Sequence, residues 1–138
     1  MIRFLLDTNI LSEPCRPNPN QKVLSYLNQY RFEIGTSSVV LSEILYGCWR
    51  LPQSRKREVL SRYVEDSILS LPVFDYNLEA ARWHARERVR LSQKGKTPAF
   101  IDGQIASTAA VNDLILVTRN IQDFSEFDNL TLENWFEP

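Results

Sequence analysis

The amino-acid sequence predicts an α/β fold, a three-layer sandwich in which helices flank a mostly parallel sheet of four or five strands. Short apolar runs of strand length alternate along the chain with longer segments that have helical spacing. Such alternation favours parallel neighbours, because a helix carries the chain back between successive strands. The 138 residues, 43% of them hydrophobic and 24% charged, are typical of a single globular domain spanning 1–138.

Five short apolar runs are the strand candidates. The first, at 3–6, is almost entirely apolar and is typical of a strand buried on both faces. The run at 114–117 has the same character, and Leu130 and Leu132 indicate an additional edge strand. The remaining strand candidates lie at 32–36 and 71–74.

Cap residues and helix breakers indicate where the predicted helices between these strands begin and end. Asp7, Thr8 and Asn9 offer caps for a short helix at 10–12, which the prolines of the 14–19 segment end. Residues 36–38 offer a cap for the helix at 39–47. In the amphipathic helix at 54–67, the predicted inward side chains are Val59, Leu60, Tyr63 and Val64. The other predicted helices lie at 23–27, 77–93 and 100–111.

Three acidic residues lie at the ends of apolar elements or beside them, and they are the main functional candidates. Asp7 directly follows the first strand, Glu43 lies beside the apolar face of a helix, and Asp102 opens the helix at 100–111. A parallel sheet collects such groups beyond the carboxyl ends of its strands. Converging carboxylates repel one another, and a hard divalent cation such as Mg²⁺ relieves that repulsion. The sequence therefore predicts a metal-assisted phosphate site.

Each acid also has a purely structural interpretation. Asp7 could cap the helix that follows it, and Asp102 lies in a first helical turn, where the helix dipole favours an acid. Asn120 and Asp123 have the spacing of a capping box. For Asp123 this spacing favours capping over metal ligation.

Composition narrows the classes of protein further. No apolar run is long enough to cross a membrane, and no secretory signal precedes the first strand. Cys15 and Cys48 lack the spacing of metal ligands, which indicates reduced thiols in a cytoplasmic protein.

The charge distribution is uneven although the net charge is only −1. The segment 82–96 carries six basic residues and one acidic residue. Four of the basic side chains recur every four residues and form one predicted ridge, either for RNA phosphates or simply solvated: Arg82, Arg86, Arg90 and Lys94. A second basic patch, with the same two interpretations, comprises Arg50, Arg55, Lys56 and Arg57.

Taken in order, these motifs resemble those of the PIN-domain ribonucleases, above all VapC-type toxins of type II toxin–antitoxin pairs. The matching segments cover essentially the whole chain: 6–9 (LDTN), 42–43 (SE) with Gly47, Asp102 with 105–106 (IA), and 117–120 (VTRN) with 123–124 (DF). The resemblance implies a Mg²⁺-dependent endoribonuclease, with Mn²⁺ as a possible substitute, that leaves 5′-phosphate and 3′-hydroxyl ends. It also implies a homodimer and a cognate antitoxin that blocks the site.

By the same resemblance, Asp7, Glu43 and Asp102 are the catalytic and metal-binding acids. Asn9, Ser38 and Thr118 are expected to orient them. Where the family often has a fourth Asp, this chain has Asn120, so Asp123 is the alternative occupant of that position. The only histidine, His84, is expected to be structural or solvent-exposed.

Two other functions remain open at the level of sequence. An aspartyl phosphotransferase would use Asp7 as a nucleophile, but Asn9 occupies the place of its usual second Asp. A catalytically weak or inactive PIN-like domain could instead bind RNA or a protein, and Asn120 supports this alternative. The apolar stretches 23–27 and 59–64 are candidates for antitoxin docking, for the dimer contact or for the core.

Overall fold

The computed structural model describes residues 1–137 and contains one five-stranded sheet with the order β3-β2-β1-β4-β5. Each pair of neighbouring strands is parallel. All five predicted strands are present: β1 Phe4–Leu6, β2 Ile34–Ser37, β3 Val73–Phe74, β4 Ile115–Val117 and β5 Leu132–Glu133. The predicted fold class is therefore confirmed.

Helices connect successive strands, as the alternating pattern predicts. They are α1 Thr8–Ser12, α2 Gln21–Gln29, α3 Ser38–Trp49, α4 Arg55–Tyr63, α5 Leu78–Ser92, α6 Phe100–Val111 and α7 Ile121–Phe124. A 3₁₀ turn at Glu13–Cys15 follows α1, and a π-helical turn at Val64–Ile68 extends α4. The Ser37 hydroxyl caps α3 by accepting a hydrogen bond from the Val40 N–H at 3.1 Å.

Strand β1 is the centre of the core. Phe4, Leu5 and Leu6 are almost completely buried, because β1 has a strand on either side and helices over both faces. The C-terminal segment packs onto the same core, since the Trp135 ring lies 5.3 Å from the Phe4 ring. This packing anchors the C-terminal segment, so that β5 lies beside β4 as an edge strand of the sheet.

Two details of the predicted elements are wrong. Strand β2 begins at Ile34, and Phe32 lies in the preceding turn with 78% of its surface exposed. Val59 is 51% exposed rather than inward, although Leu60 and Tyr63 are half-buried and Val64 is buried. Val59 lies about 100° around the helix from Leu60, at the margin of the buried face, where nothing covers it.

Helices α5 and α6 approach each other closely at Gly103. A methyl group on Gly103 would overlap the imidazole ring of His84, so only glycine fits between this ring and the α6 backbone. The His84 Nδ1 atom shares a 2.9 Å hydrogen bond with the Tyr76 hydroxyl. Burial, followed by the charge of Arg88, lowers the pKa of His84. Of its two predicted roles, the structural one is therefore confirmed.

No helix within residues 1–137 combines the length and apolar character needed to span a membrane. Cys15 and Cys48 are both free thiols, and Cys48 is buried with its Sγ atom 3.1 Å from the Ser61 hydroxyl.

Candidate functional site

The predicted acids meet at the carboxyl edge of the sheet. Asp7 directly follows β1, Thr118 directly follows β4, and Glu43 lies in the helix that follows β2. Helices α6 and α7 contribute Asp102 and Asp123. Parallel strands bring these sequence-distant groups to one edge, as expected for a doubly covered sheet.

Asp7 is the most firmly held of the acids. Asp7 is only 8% exposed, and its Oδ1 accepts a hydrogen bond from the Thr8 N–H at 2.8 Å, which caps α1. Its Oδ2 accepts a hydrogen bond from the Thr118 hydroxyl at 2.8 Å. Burial raises the pKa of Asp7, the two hydrogen bonds oppose that rise, and the charge of Asp123 adds to it. Asp7 thus both caps a helix and belongs to the acidic site.

Glu43 is half-buried in α3 and forms no ion pair within residues 1–137. Burial raises its pKa, and the negative charge of Asp7 raises it further. The Thr8 hydroxyl is near enough to lower the pKa of Glu43 slightly, yet this hydroxyl is buried and makes no hydrogen bond of good geometry in the described chain. The Thr8 hydroxyl is therefore unpaired within the described chain, and its contact with Glu43 is weak.

Asp102 has the most strongly perturbed carboxyl group of the site. Burial in the first turn of α6, followed by the charges of Asp123, Asp7 and Glu43, raises the pKa of Asp102 to about 6. Three other acids thus act on one side chain, which places each of them within electrostatic range of Asp102.

The capping-box interpretation of Asn120 and Asp123 is wrong. The Asn120 side chain makes no capping hydrogen bond at α7, and its backbone N–H donates instead to the Thr118 hydroxyl at 3.1 Å. Asp123 is exposed, and its charge raises the pKa of both Asp7 and Asp102. The structure thus brings Asp123 to the acidic site, where the spacing alone favoured a cap.

The three expected orienting groups occupy different places. Thr118 contacts Asp7 directly. Asn9 forms no hydrogen bond to an acid of the site within the described chain. Its Oδ1 instead accepts a hydrogen bond from the Arg119 N–H at 3.4 Å, which connects α1 to the end of β4. Ser38 is half-buried at the start of α3, where Ser37 rather than Ser38 provides the cap.

The four residues of the predicted basic ridge differ in whether they form ion pairs. The Arg90 guanidinium forms two hydrogen bonds to the buried Glu87 carboxylate, at 2.8 and 2.9 Å, and a third to the Glu126 carbonyl oxygen. The other three ridge residues are exposed and have no ion pair within the described chain: Arg82, Arg86 and Lys94. Arg90 is a structural side chain, whereas those three remain available to a polyanion.

The donor chemistry of the site suits a hard cation such as Mg²⁺, because the converging side chains offer carboxylate oxygens. Burial and, after it, the charges of neighbouring acids raise the pKa values of Asp7, Glu43 and Asp102, as expected where carboxylates gather without a cation. Within residues 1–137, however, no three acidic, histidine or cysteine side chains are close enough to hold one ion by themselves. A bound Mg²⁺ would therefore keep water or substrate oxygens among its ligands, as Mg²⁺ usually does.

Sequence reasoning missed the Thr8 hydroxyl and the pair formed by Arg88 and Phe100. Thr8 adjoins Asp7, so its position next to a candidate ligand was an available signal. Arg88 and Phe100 belong to different helices, and their guanidinium and ring meet only because α5 packs on α6. No spacing rule along the chain would have paired them.

Replacing Thr8 with valine should leave the metal-free protein as stable as the wild type or more stable, by up to about 1 kcal/mol, because a buried unpaired hydroxyl carries an uncompensated desolvation cost. Urea denaturation in EDTA measures the change. A loss of stability would instead show that the hydroxyl hydrogen-bonds Glu43 in solution. Thr8→Ser, which keeps the hydroxyl, is the control.

Comparison with known proteins identifies the fold family. The model of the PIN domain matches residues 4–130. Toxin FitB of Neisseria gonorrhoeae is 33% identical over 97% of this chain and 99% of its own length. The tRNA(fMet)-specific endonuclease VapC of Salmonella typhimurium is 30% identical, with 98% and 99% covered.

Solved structures agree with these sequence relatives. The structure of FitAB bound to an IR36 DNA fragment has a TM-score of 0.89 and 31% identity, and covers 98% of this chain and 96% of that chain. DNA-bound VapBC from Salmonella typhimurium has a TM-score of 0.83 and 30% identity, with 98% and 99% covered. With a five-stranded parallel sheet and acids gathered at its carboxyl edge, this chain belongs to the PIN-domain family.

Proposed function

We propose that this protein is a metal-dependent endoribonuclease, the toxin of a toxin–antitoxin pair, that hydrolyses RNA phosphodiester bonds. The observation that carries the proposal is the convergence of Asp7, Glu43, Asp102 and Asp123 at the carboxyl edge of a PIN-domain sheet. Relatives named ribonuclease VapC and tRNA(fMet)-specific endonuclease VapC, similar over almost their whole length, support it.

Each acid has a defined part in this proposal. Asp7 and Asp102 would hold Mg²⁺ (or Mn²⁺), Glu43 would do so directly or through water, and Asp123 would fill the fourth position. When bound, the metal ion would neutralise the scissile phosphate and make an attacking water more acidic. Thr118 and the Thr8 N–H keep both oxygens of Asp7 oriented towards the site. Glu43, which has no ion-pair partner in the described chain, is suited to accept the proton of the attacking water.

Hydrolysis by water would leave 5′-phosphate and 3′-hydroxyl ends. The alternative route, attack by the ribose 2′-hydroxyl, commonly needs a pair of side chains that exchange protons at neutral pH. The only histidine of the chain, His84, is 2% exposed between α5 and α6 and hydrogen-bonded to Tyr76. It is not available for that role.

The proposal includes a cognate antitoxin and a homodimer. The FitAB and VapBC structures, which resemble this chain over almost its whole length, support a protein partner. Of the two stretches considered as docking surfaces, Val23 and Val64 belong to the core, whereas Val59 is exposed. A larger apolar surface lies on α3, where Tyr46 and Trp49 are more than 60% exposed, at 68% and 62%. These surfaces offer the protein contacts that such an assembly needs.

The test is cleavage of total RNA by the purified protein in Mg²⁺, in Mn²⁺ and in EDTA, with the product ends mapped. We expect metal-dependent cuts that leave 5′-phosphates and that disappear in Asp7→Asn. Asp113→Asn is the matched control, because Asp113 is exposed before β4, at the opposite edge of the sheet, and its φ of 54° suits asparagine as well. Metal-independent cutting, or cutting that survives in Asp7→Asn, would contradict the proposal.

The binding-only alternative rests on Asn120, and it is weakened by the position of Asp123. A protein that binds metal and RNA with an intact fold, yet cuts no RNA, would favour that alternative. Thermal protection by Mg²⁺ does not separate the two functions, because an inactive site can also bind the ion.

The basic ridge yields a separate prediction. Arg86→Ala should lower the slope of log affinity against log salt for RNA by about one unit if Arg86 contacts a phosphate. Arg90→Ala should instead lower thermal stability, because it leaves the buried Glu87 carboxylate without its partner. Fluorescence anisotropy at several salt concentrations measures the slope. An unchanged slope in Arg86→Ala would exclude Arg86 from the RNA contact.

A further inference from the structure

Phe100 is a partly exposed apolar ring at the N-terminal end of α6, the helix that carries Asp102. It is the first residue of α6, two positions before Asp102, and 49% of its surface is exposed. The neighbouring Ile101 is 43% exposed. Since α6 otherwise buries apolar side chains, such as Ile105 and Ala106, these exposed groups are confined to the N-terminal turn of the helix.

The Phe100 ring is fixed by two neighbours from α5. The Arg88 guanidinium carbon lies 5.0 Å from the ring centroid, and the His84 ring centroid lies 4.7 Å away. His84 is buried and hydrogen-bonded to Tyr76, so it cannot move without disturbing the α5–α6 contact. A ring that is already held in place loses little conformational entropy when a ligand stacks on it.

Arg88 keeps its charge available. It is exposed and has no ion pair within residues 1–137, in contrast to Arg90 two positions later. A groove of about 410 Å³ begins at Arg88 and Val89 and runs past Lys96 to Pro98, shortly before Phe100. The surface thus combines an exposed ring, an unpaired guanidinium and room for a nucleotide-sized group.

We propose that Phe100 and Arg88 form a stacking subsite for an unpaired RNA base at the first turn of α6, the helix that carries Asp102, with the guanidinium also contacting the adjacent phosphate. Bases of single-stranded RNA stack on aromatic rings and on guanidinium planes, while cationic side chains bind the backbone. The excess of positive charge on α5 matches a polyanion. The subsite would select single-stranded RNA, because a base inside a duplex already stacks on its neighbours. This inference rests on the proposed ribonuclease function and assigns two residues that would recognise its RNA substrate.

The test measures RNA binding by the full chain without cleavage, in Asp7→Asn and, separately, in the otherwise wild-type protein with EDTA. The probe is a fluorescein-labelled single-stranded RNA of mixed sequence, compared with the same strand in a duplex. Phe100→Leu should weaken single-strand binding about 5- to 100-fold, the usual effect of losing one stacked base, and affect the duplex less. Phe100→Trp should retain the affinity. Arg88→Gln should reduce the salt slope by about one unit, whereas Arg88→Lys should not.

The chain contains a matched control pair. The Arg31 guanidinium lies 4.7 Å from the centroid of the Phe32 ring, and this ring is 78% exposed. The pair directly precedes β2, at the amino ends of the strands, whereas the acids lie at the carboxyl ends. Phe32→Leu and Arg31→Gln should therefore leave RNA affinity and salt slope unchanged, and an equal loss in these controls would overturn the inference.

A second readout reports stacking itself. A 2-aminopurine base in a single-stranded RNA should lose fluorescence when it binds the protein, and this quenching should be absent in Phe100→Leu. Unchanged RNA affinity and unchanged quenching in Phe100→Leu would overturn the subsite. A change from dimer to monomer in Phe100→Leu, measured by light scattering, would also overturn it, because Phe100 would then be a contact between two copies of the chain. Metal-dependent cleavage that persists in Phe100→Leu with unchanged RNA affinity refutes only the subsite. Loss of stacking in a protein that never cleaves refutes only the nuclease.

Discussion

Asp102→Asn should lower RNA cleavage by at least about 100-fold, the usual effect of removing an acid–base or ligand carboxylate, and yet make the metal-free protein more stable at neutral pH. The two effects have one cause. Burial and the charges of Asp123, Asp7 and Glu43 raise the pKa of Asp102 to about 6, so its ionised form is unfavourable in the folded protein without metal. Asparagine removes that charge together with its function.

The direction of the pH dependence follows from the raised pKa. The folded state holds the Asp102 proton more tightly than the unfolded chain does, so this group stabilises the fold below its ordinary pKa of 3.8. That contribution is lost as the pH rises towards about 6, and above this value the ionised side chain opposes folding. A pKa raised from 3.8 to about 6 corresponds to nearly 3 kcal/mol, but partial exposure of Asp102 reduces the expected effect on stability to about 1 kcal/mol.

Thermal denaturation in EDTA at pH 4.5 and pH 7.5 measures this effect. Asp102→Asn should exceed the wild type in stability mainly at the higher pH, and Asp113→Asn should differ little at either. Mg²⁺ should stabilise the wild type more than Asp102→Asn, since the metal binds only the folded site. A variant that is less stable than the wild type at pH 7.5 would show that the Asp102 carboxylate makes a favourable contact outweighing the repulsion.

Gly103→Ala should destabilise the protein by about 2 kcal/mol, because the loss from overpacking against His84 exceeds the roughly 1 kcal/mol gain in helix propensity. For a domain of this size the melting temperature should fall by roughly 6 °C. His84 cannot easily yield, since its ring is buried and hydrogen-bonded to Tyr76. Gly103 also adjoins Asp102, so the same change should weaken Mg²⁺ binding, measured by calorimetry.

Gly47 provides the opposite control within another helix. A methyl group on Gly47 would meet no atom within 4 Å, so Gly47→Ala should stabilise the protein by up to about 1 kcal/mol through helix propensity alone. The double variant Gly103→Ala with His84→Ala should recover part of the stability lost in Gly103→Ala. If Gly103→Ala proved as stabilising as Gly47→Ala, α5 and α6 would not approach closely at this point.

Local patterns in the sequence were sufficient to predict the elements of the fold. The apolar runs, caps and breakers placed all five strands and six of the seven helices, all but α7, because burial and backbone geometry act over a few residues. Errors arose where a side chain lay at the margin of a pattern. Val59 lies in the predicted helix, but at the exposed margin of its buried face. Phe32 is apolar, but it precedes the strand and is exposed.

The fold class and three of the acids, Asp7, Glu43 and Asp102, could be predicted from sequence, because parallel strands place such groups at one end of the sheet wherever their elements occur along the chain. The three-dimensional structure was needed to find what each polar group does there. It showed that Asp123 acts on Asp102, that Arg90 is bound by Glu87, and that Arg88 meets Phe100. Those roles depend on contacts between residues distant in sequence, and spacing along one element carries no information about such contacts.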